Sequence, residues 1–560
     1  MSEPYTQSYI KRTESDFTSI TKKNLIQFLE ENKQRQPDDE AFVFVQTNGD
    51  PVRINWLNLW ERCLSTAKGL SLLGVRAGAI VAINLRCCAE WLYATFGAMM
   101  LGAIPVSVSF TYTDGSDLIE LMKKMGKCSV LIMDPGLENV NWNIINKLLD
   151  KYDNNGEVSS TQLPTLRVLI GHAFDASMKD VKKFEDLLTI STDDFKIHDI
   201  KPDDIALMMQ TSGSTGSPKF VVHAHSTFTA LASTRMVLTD NRYKLFNERP
   251  FSWIGGFPFS ILTGMCRVCI SGFCQPPENF TDFLLKVLVK EQCTSVLGMP
   301  PFVNGLMKEQ DNLPENWPVK VILTGGQPLS KNIVNCVGKV CESMCSMYAS
   351  TEFFAGTQGS FSDPEKFTEH SSGVPPNLGG LEIKIVNDQG DIVPVNTRGE
   401  LYIRTPCLFK GYFNDPDKTS QVMTQDGWYR TDDMGQMNER GEFIVGGRKS
   451  NMILSRGMNV APEIMEVVLK KCPGVENAIV VPVPDETAYQ DLCACIIKKA
   501  GSNLQESNLR EFCARIHADK PGIFTVLPKY YIFCDTFPET STGKVSRKAL
   551  EKMAVEKCTM

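Results

Sequence analysis

The sequence predicts an α/β fold in two unequal parts, and three textures along the chain predict it. Up to about residue 350, apolar runs of strand length alternate with amphipathic segments, the pattern of parallel sheets covered by helices. From about residue 380 the runs become short and alternating (LEIKIV, GELYIR, GEFIVGG), divided by DQG, DG and ERG turns. After GRKS at 447–450 comes a compact α+β stretch with apolar runs at 478–483 and 492–497.

The first of these textures resolves into elements in order. Trp56, Trp60, Leu64, Ala67 and Leu70 recur at helical spacing, and Gly74 closes that helix. Residues 79–85 read as a strand, 88–101 as a helix and 105–110 as a second strand, a β–α–β unit. This unit absorbs the one stretch that invites a membrane reading. Residues 91–110 carry no charge and are long enough to span a bilayer. However, Gly97, Gly102, Pro105, Ser107 and Ser109 interrupt them, and burial between helix and strands explains their composition. Further strands are expected at VLIM (130–133), LRVLIG (166–171), IALMM (205–209), SVLGM (295–299) and VKVILTGG (319–326), with a polar surface loop at 152–163.

Composition narrows the functional classes. With 560 residues and 42% apolar content the chain can build several large cores. A net charge of −7 gives no footprint for nucleic acid. Eighteen cysteines spread over this length, without a secretory leader, read as reduced thiols rather than a disulfide scaffold. CCAE (87–90) and CAC (493–495) have no second paired cluster, which argues against a zinc site. The opening MSEPYTQSYIKRTESDF has no apolar core, and Glu3, Glu14 and Asp16 argue against an acid-poor transit peptide. The final KCTM is neither a peroxisomal tripeptide nor a prenylation box, because Cys558 stands third from the end. Together these predict a cytoplasmic protein without a transmembrane segment.

The chemistry is concentrated in TSGSTGSPK at 211–219. Gly213 and Gly216 let a backbone turn its N–H groups inward and let a phosphate approach. Ser212, Ser214 and Thr215 add hydroxyl donors, and Pro218 and Lys219 close the run with a point charge. The apolar strand before it makes this a phosphate-cradling loop leaving a buried strand rather than a flexible linker. A Walker-type loop is excluded, because the glycines are three apart and Phe220, not a hydroxyl residue, follows Lys219.

This run resembles the signature loop of the adenylate-forming superfamily, which includes acyl-CoA synthetases, luciferases and peptide-synthetase adenylation domains. The resemblance extends from about residue 40 to 550 and includes, in the family's order, YASTE (348–352), GWYRTDD (427–433), GRKSNMILSRGMNVAPEIME (447–466) and PETSTGKVSR (538–547). It implies a large N-terminal domain (1–448) of helix-covered sheets completed by a small distorted β-barrel. A small, mobile α+β C-terminal domain (449–560) follows, with the hinge at Lys449 and Ser450. It also implies a two-step reaction. A carboxylate attacks the α-phosphate of ATP, releasing pyrophosphate; a thiol, usually that of CoA, then attacks the activated acyl carbon. Displacement at phosphorus needs charge neutralisation more than a protein nucleophile, so no catalytic triad is required.

Residue by residue, the resemblance assigns Thr211, Ser212, Gly213, Ser214, Thr215, Gly216, Ser217, Pro218 and Lys219 to the phosphates. Gly325, Gly326 and Gln327 match the loop against adenine, although a plain tight turn explains them equally well. Tyr348, Ala349, Ser350, Thr351 and Glu352 match a motif in which Thr351 meets phosphate and Glu352 holds Mg²⁺, as a carboxylate beside a triphosphate must. Asp433 matches the ribose-binding position, Arg448 contacts ribose and phosphate, and Lys544 bridges the carboxylate and the α-phosphate.

The chain departs from the family at several positions. Asp432, Ala349 and Phe220 each replace a family glycine, and Ser450 stands at the usual Asp or Lys hinge position. The acyl region reads FSWIGGFPF (251–259) without the family's histidine; Trp253, Phe257 and Phe259 either gate or line a hydrophobic pocket or are core, and Ala349 adds a methyl at the pocket wall. The resemblance is greatest to medium-chain fatty acyl-CoA synthetases, which implies a fatty acid, MgATP and CoA as small-molecule partners. The alternatives are an aryl-acid CoA ligase or luciferase-like enzyme, and a nucleotide-binding homologue without turnover.

Overall fold

The computed structural model describes residues 4–13, 22–110, 112–175, 178, 181–211, 219–233, 244–274, 279–326, 329, 331–455, 458–485, 489–519, 526–540 and 544–558. Two eight-stranded sheets form the large N-terminal domain. In the first, Val168–Gly171, Cys128–Met133, Ile80–Asn84, Ile104–Ser107 and Ile205–Thr211 lie side by side and parallel. Lys219–Ala224 then returns antiparallel to Ile205–Thr211. The second sheet repeats the scheme. Its parallel strands include Glu40–Val45, Cys266–Ile270, Lys244–Asn247, Ser295–Leu297, Val321–Gly325 and Ser343–Ser350, and Phe353–Phe361 returns antiparallel along its edge.

Helices Leu25–Arg35, Trp56–Leu72 and Ala89–Met100 share one core with the facing strands of both sheets. In Ala89–Met100 every residue except Glu90 is buried. A helix covered on all sides has no polar face to maintain, which is why its sequence looks membrane-like. Among the described residues no helix is long and apolar enough to cross a membrane. Outer helices, among them Ser116–Met125 on the first sheet and Phe280–Lys290 on the second, cover the remaining faces.

A five-stranded antiparallel sheet stands where the small barrel is expected, in the order Tyr9–Lys11, Glu382–Val386, Gly399–Arg404, Tyr429–Met437, Phe443–Arg448. Its first strand comes from the N-terminus, which the sequence did not mark as structured. The expected surface loop at 152–163 is corrected in one respect, because Lys151–Tyr152 and Val158–Ser159 pair as a small hairpin.

A short turn, Lys449–Asn451, leads from Arg448 into the small C-terminal domain. There the two predicted apolar runs pair with each other inside Val475–Asp485 and Tyr489–Lys498, with Val480 opposite Ala494. Helices Pro462–Leu469 and Arg547–Cys558 pack on this sheet. All eighteen cysteines are unpaired.

Candidate active site

Three elements of the large domain converge at one cleft. Ser343–Ser350 turns at Thr351 and Glu352 into Phe353–Phe361, so the YASTE motif is the tip of an edge hairpin. Tyr429–Met437 and Phe443–Arg448 place Asp433 opposite Arg448 across an antiparallel pair. The hairpin of Ile205–Thr211 and Lys219–Ala224 sets Thr211 opposite Lys219. The predicted phosphate-loop residues Ser212, Gly213, Ser214, Thr215, Gly216, Ser217 and Pro218 lie outside the described residues, as does Gln327. The feet of that loop are therefore fixed by the sheet.

The polar wall is closely bonded. The Tyr348 hydroxyl donates to Asp433 Oδ2 at 2.6 Å, and Arg448 Nε stands 3.1 Å from Asp433 Oδ1. Burial raises the pKa of Asp433, and Arg448 opposes that rise. Glu352 accepts from the Ser350 hydroxyl at 3.1 Å and from the Tyr412 hydroxyl at 2.9 Å. The Lys219 ammonium lies over the Tyr412 ring, 4.7 Å from its centroid. Burial lowers the Lys219 pKa, while Glu352 favours its charged form.

Lys544, from the small domain, reaches the same electrostatic neighbourhood. Its pKa is lowered by burial first, then by Arg448 and Arg249; Asp433 and Glu352 oppose the shift. By surface area Lys544 is exposed. Lys544 is thus open to solvent and within electrostatic reach of both walls of the cleft.

Tyr412 and Arg249 belong to this cluster and carry no signal in the sequence. Tyr412 is one aromatic in an ordinary turn, and only the pairing of Gly411–Tyr412 with Lys219–Ala224 brings it to Glu352. The two glycines of the expected adenine loop have packing reasons of their own. A Cβ on Gly325 would stand 2.3 Å from the Met347 carbonyl oxygen, and Gly326 has φ of +79°.

Two departures from the family pattern prove to be partners. Asp432 has φ of +64°, a left-handed conformation suited to glycine, and asparagine or aspartate are the side chains that best tolerate it. Its Oδ1 accepts the Ser450 backbone N–H at 3.1 Å, and its Oδ2 accepts the Ser450 hydroxyl. The third departure, Phe220, is fully buried in the core below the first sheet.

A cavity of about 100 Å³ opens beside Tyr348 and Ala349. Phe257, Leu323, Met347 and Phe354 contribute to its largely apolar wall. Phe257 also packs against Trp91, Phe96 and Phe228, so it is core and lining at once. Another expected lining residue, Trp253, is not on the wall. The Arg249 guanidinium lies 5.3 Å from its ring, which turns this aromatic to a charge rather than to the cavity.

A cleft of this build, with a lysine from the small domain near it and an apolar cavity beside it, fits an acid–thiol ligase of the adenylate-forming type. The chain belongs to the AMP-binding enzyme family, whose sequence model matches residues 29–413, and the model of the AMP-binding enzyme C-terminal domain matches residues 464–544. It is 26% identical over 570 residues to the mitochondrial medium-chain acyl-CoA ligase ACSF2 of Mus musculus, covering 97% of this chain and 89% of that one. Its fold is similar to that of the anthranilate CoA ligase AuaEII in complex with anthranoyl-AMP, with TM-score 0.79, 20% identity and 98% and 100% of the two chains covered. It is also similar to the Bacillus subtilis O-succinylbenzoate CoA synthetase (MenE) with ATP and magnesium ion, with TM-score 0.75, 22% identity and 95% and 100% covered.

Proposed function

We propose that this protein is an ATP-dependent acyl-CoA synthetase that activates a medium-chain fatty acid. The substrate carboxylate oxygen attacks the α-phosphorus of ATP and pyrophosphate leaves. The CoA sulfur then attacks the acyl carbon of the adenylate, the thiol proton passes to solvent, and AMP leaves. The observation that carries this reading is the gathering of Glu352, Asp433, Arg448 and Lys544 around one cleft that continues into an apolar cavity.

In this reading Asp433 accepts from the ribose hydroxyls, and Arg448, already turned to Asp433, reaches ribose and phosphate. Lys544 stands over the reacting carboxylate and offsets the charge gathering at phosphorus. Thr211, Lys219 and Thr351 meet the phosphates. The hard oxygens of Glu352 suit Mg²⁺, and the hydroxyls of Ser350 and Tyr412 hold that carboxylate in place. The metal supplies charge neutralisation on the phosphates when bound. The domain boundary at Lys449 and Ser450 is where the small domain turns between the two half-reactions.

The lining of the cavity is largely apolar, which suits an alkyl chain. A lining rich in hydrogen-bonding groups would leave them unpaired against such a chain. The unpaired cysteines fit a reducing compartment, such as the cytoplasm.

The test is a panel of straight-chain and aromatic acids, followed by pyrophosphate release with and without CoA. Medium-chain acids should give the highest kcat/KM, with thioester formed only when CoA is present. Activity confined to aromatic acids overturns the chain-length assignment. ATP binding without pyrophosphate exchange for any acid overturns the enzyme reading.

A further inference from the structure

We propose that Cys88, Glu90 and His172 form a zinc site, outside the cleft, at the C-terminal edge of the first sheet. The sequence offered CCAE at 87–90 with no second cysteine pair to complete a set. The fold completes it with a histidine instead. Cys88 and Glu90 open helix Ala89–Met100, which follows strand Ile80–Asn84, and His172 directly follows strand Val168–Gly171. The ligand atoms of the three residues lie within 4.8 Å of one another.

The donor set and its geometry both suit zinc. One thiolate, one imidazole and one carboxylate make a borderline-soft set that magnesium and calcium do not favour. Tetrahedral bonds of about 2.0–2.1 Å place neighbouring nitrogen and oxygen ligands about 3.4 Å apart. His172 Nε2 and Glu90 Oε2 are 3.4 Å apart. That is longer than the usual hydrogen bond of about 2.7–3.2 Å and matches the spacing of two zinc ligands, although an ion pair has the same reach.

The surroundings orient the histidine as metal sites do. Glu185 Oε1 stands 2.7 Å from His172 Nδ1, a carboxylate–histidine pair that fixes the tautomer and turns Nε2 toward Cys88 and Glu90. The rings of Phe184 and Phe273 meet the imidazole edge-on at 6.3 and 5.3 Å. The nearby carboxylate of Asp134 is held by Arg86 rather than turned to the three ligands. Side-chain exposures of 13% for His172 and 19% for Glu90 leave a path for the ion. Such an ion would tie the first turn of the central helix to the end of a strand two positions away in the sheet.

The test loads tag-free protein with Zn²⁺ and removes the excess by gel filtration, then counts metal by atomic emission. About one zinc per chain is expected for the wild type. Cys88→Ala and His172→Ala should each lower retained zinc at least tenfold, and Glu185→Gln should weaken zinc affinity about 10–100-fold, the usual effect of losing such a partner. With Co²⁺, wild type should show a thiolate-to-cobalt charge-transfer band that Cys88→Ala lacks. Wild-type protein holding far less than one zinc per chain, with no charge-transfer band, overturns the site even if a variant fails to fold. So does full zinc retention in Cys88→Ala, which would move the metal to other cysteines.

Discussion

On the nucleotide side of the cleft the polar side chains hold one another: Tyr348 and Arg448 both engage Asp433, and Ser350 and Tyr412 both engage Glu352. On the side proposed for the acyl chain there is a small void bounded by Phe257, Leu323, Met347 and Phe354, defined by shape rather than by bonds. Hydrogen bonds and charges demand particular residue types at particular places, whereas an apolar wall accepts any side chain of suitable volume. The first region should therefore fail sharply and uniformly for every acid, and the second should change preference without losing chemistry.

The largest expected effect belongs to the polar side. Lys544→Ala should slow acyl-adenylate formation by about a hundredfold or more, the range for losing a key electrostatic group. Thioester formation from preformed acyl-adenylate should change far less, and the order of preferred chain lengths should stay the same. Measuring the two half-reactions separately decides it. Equal losses in both would mean that Lys544 holds the structure rather than the transition state.

The seam between the regions makes a prediction about acid. His223 is fully buried and packs against the rings of Phe228 and Phe354, 5.1 and 5.0 Å away; the Thr351 backbone is the polar group that faces it. Burial pushes its pKa down to about 3, and that of the nearby His225 to about 4. The unfolded chain therefore takes up these protons first, near pH 6.5. Stability should be intact above about pH 6.5 and fall as pH drops toward the folded values. At pH 5 each histidine accounts for roughly 2 kcal/mol, from 1.36 kcal/mol per unit. His223→Phe should remove about half of the acid loss between pH 7 and pH 5 in thermal melts. A variant as acid-sensitive as wild type would show that other groups control it.

A smaller effect is expected from the partners of Glu352. Tyr412→Phe removes one hydrogen bond to a carboxylate, worth about 1.5–3 kcal/mol for a charged group, and should raise the Mg²⁺ concentration needed for half-maximal pyrophosphate release about tenfold. Glu352→Gln should alter the same titration more strongly. An unchanged magnesium curve in both would remove Glu352 from metal binding.

How much of this was legible in the sequence follows the same division. Buried strands such as Ile80–Asn84 and Ile205–Thr211, and the helix at Trp56–Leu72, announce themselves by local pattern. Tyr348, Glu352, Asp433 and Arg448 stand in motifs the sequence singled out, and the fold brings these motifs to one cleft. Tyr412 was not legible, because its role arises from a strand pairing across nearly two hundred residues of chain. The pairing of Tyr9–Lys11 with Glu382–Val386 was hidden for the same reason. Trp253 was placed by residue type alone, and an aromatic ring serves a guanidinium as readily as a cavity. His172 is a lone histidine in the sequence, and only the fold carries it to CCAE.

The last prediction tests the acyl side directly. Ala349 lies at the mouth of the cavity, next to Tyr348, where the chain passes from the polar wall to the apolar one. Its methyl stands where the family has a glycine, so Ala349→Gly should open space for about one methylene. One methylene in a hydrophobic pocket is worth about 1–3 kcal/mol, so the optimum should move to an acid about one carbon longer. The KM for ATP should not move, since no charge or hydrogen bond is touched. Trp253→Ala supplies the control: a residue off the wall should leave the chain-length profile as it is. Profiles of kcat/KM for acids of increasing length, taken on wild type and both variants, separate the outcomes. A longer optimum only in Ala349→Gly marks Ala349 as the boundary of the cavity. A shift in Trp253→Ala instead would put the acyl chain along the Arg249 side of the cleft, and the division between the two walls would have to be redrawn.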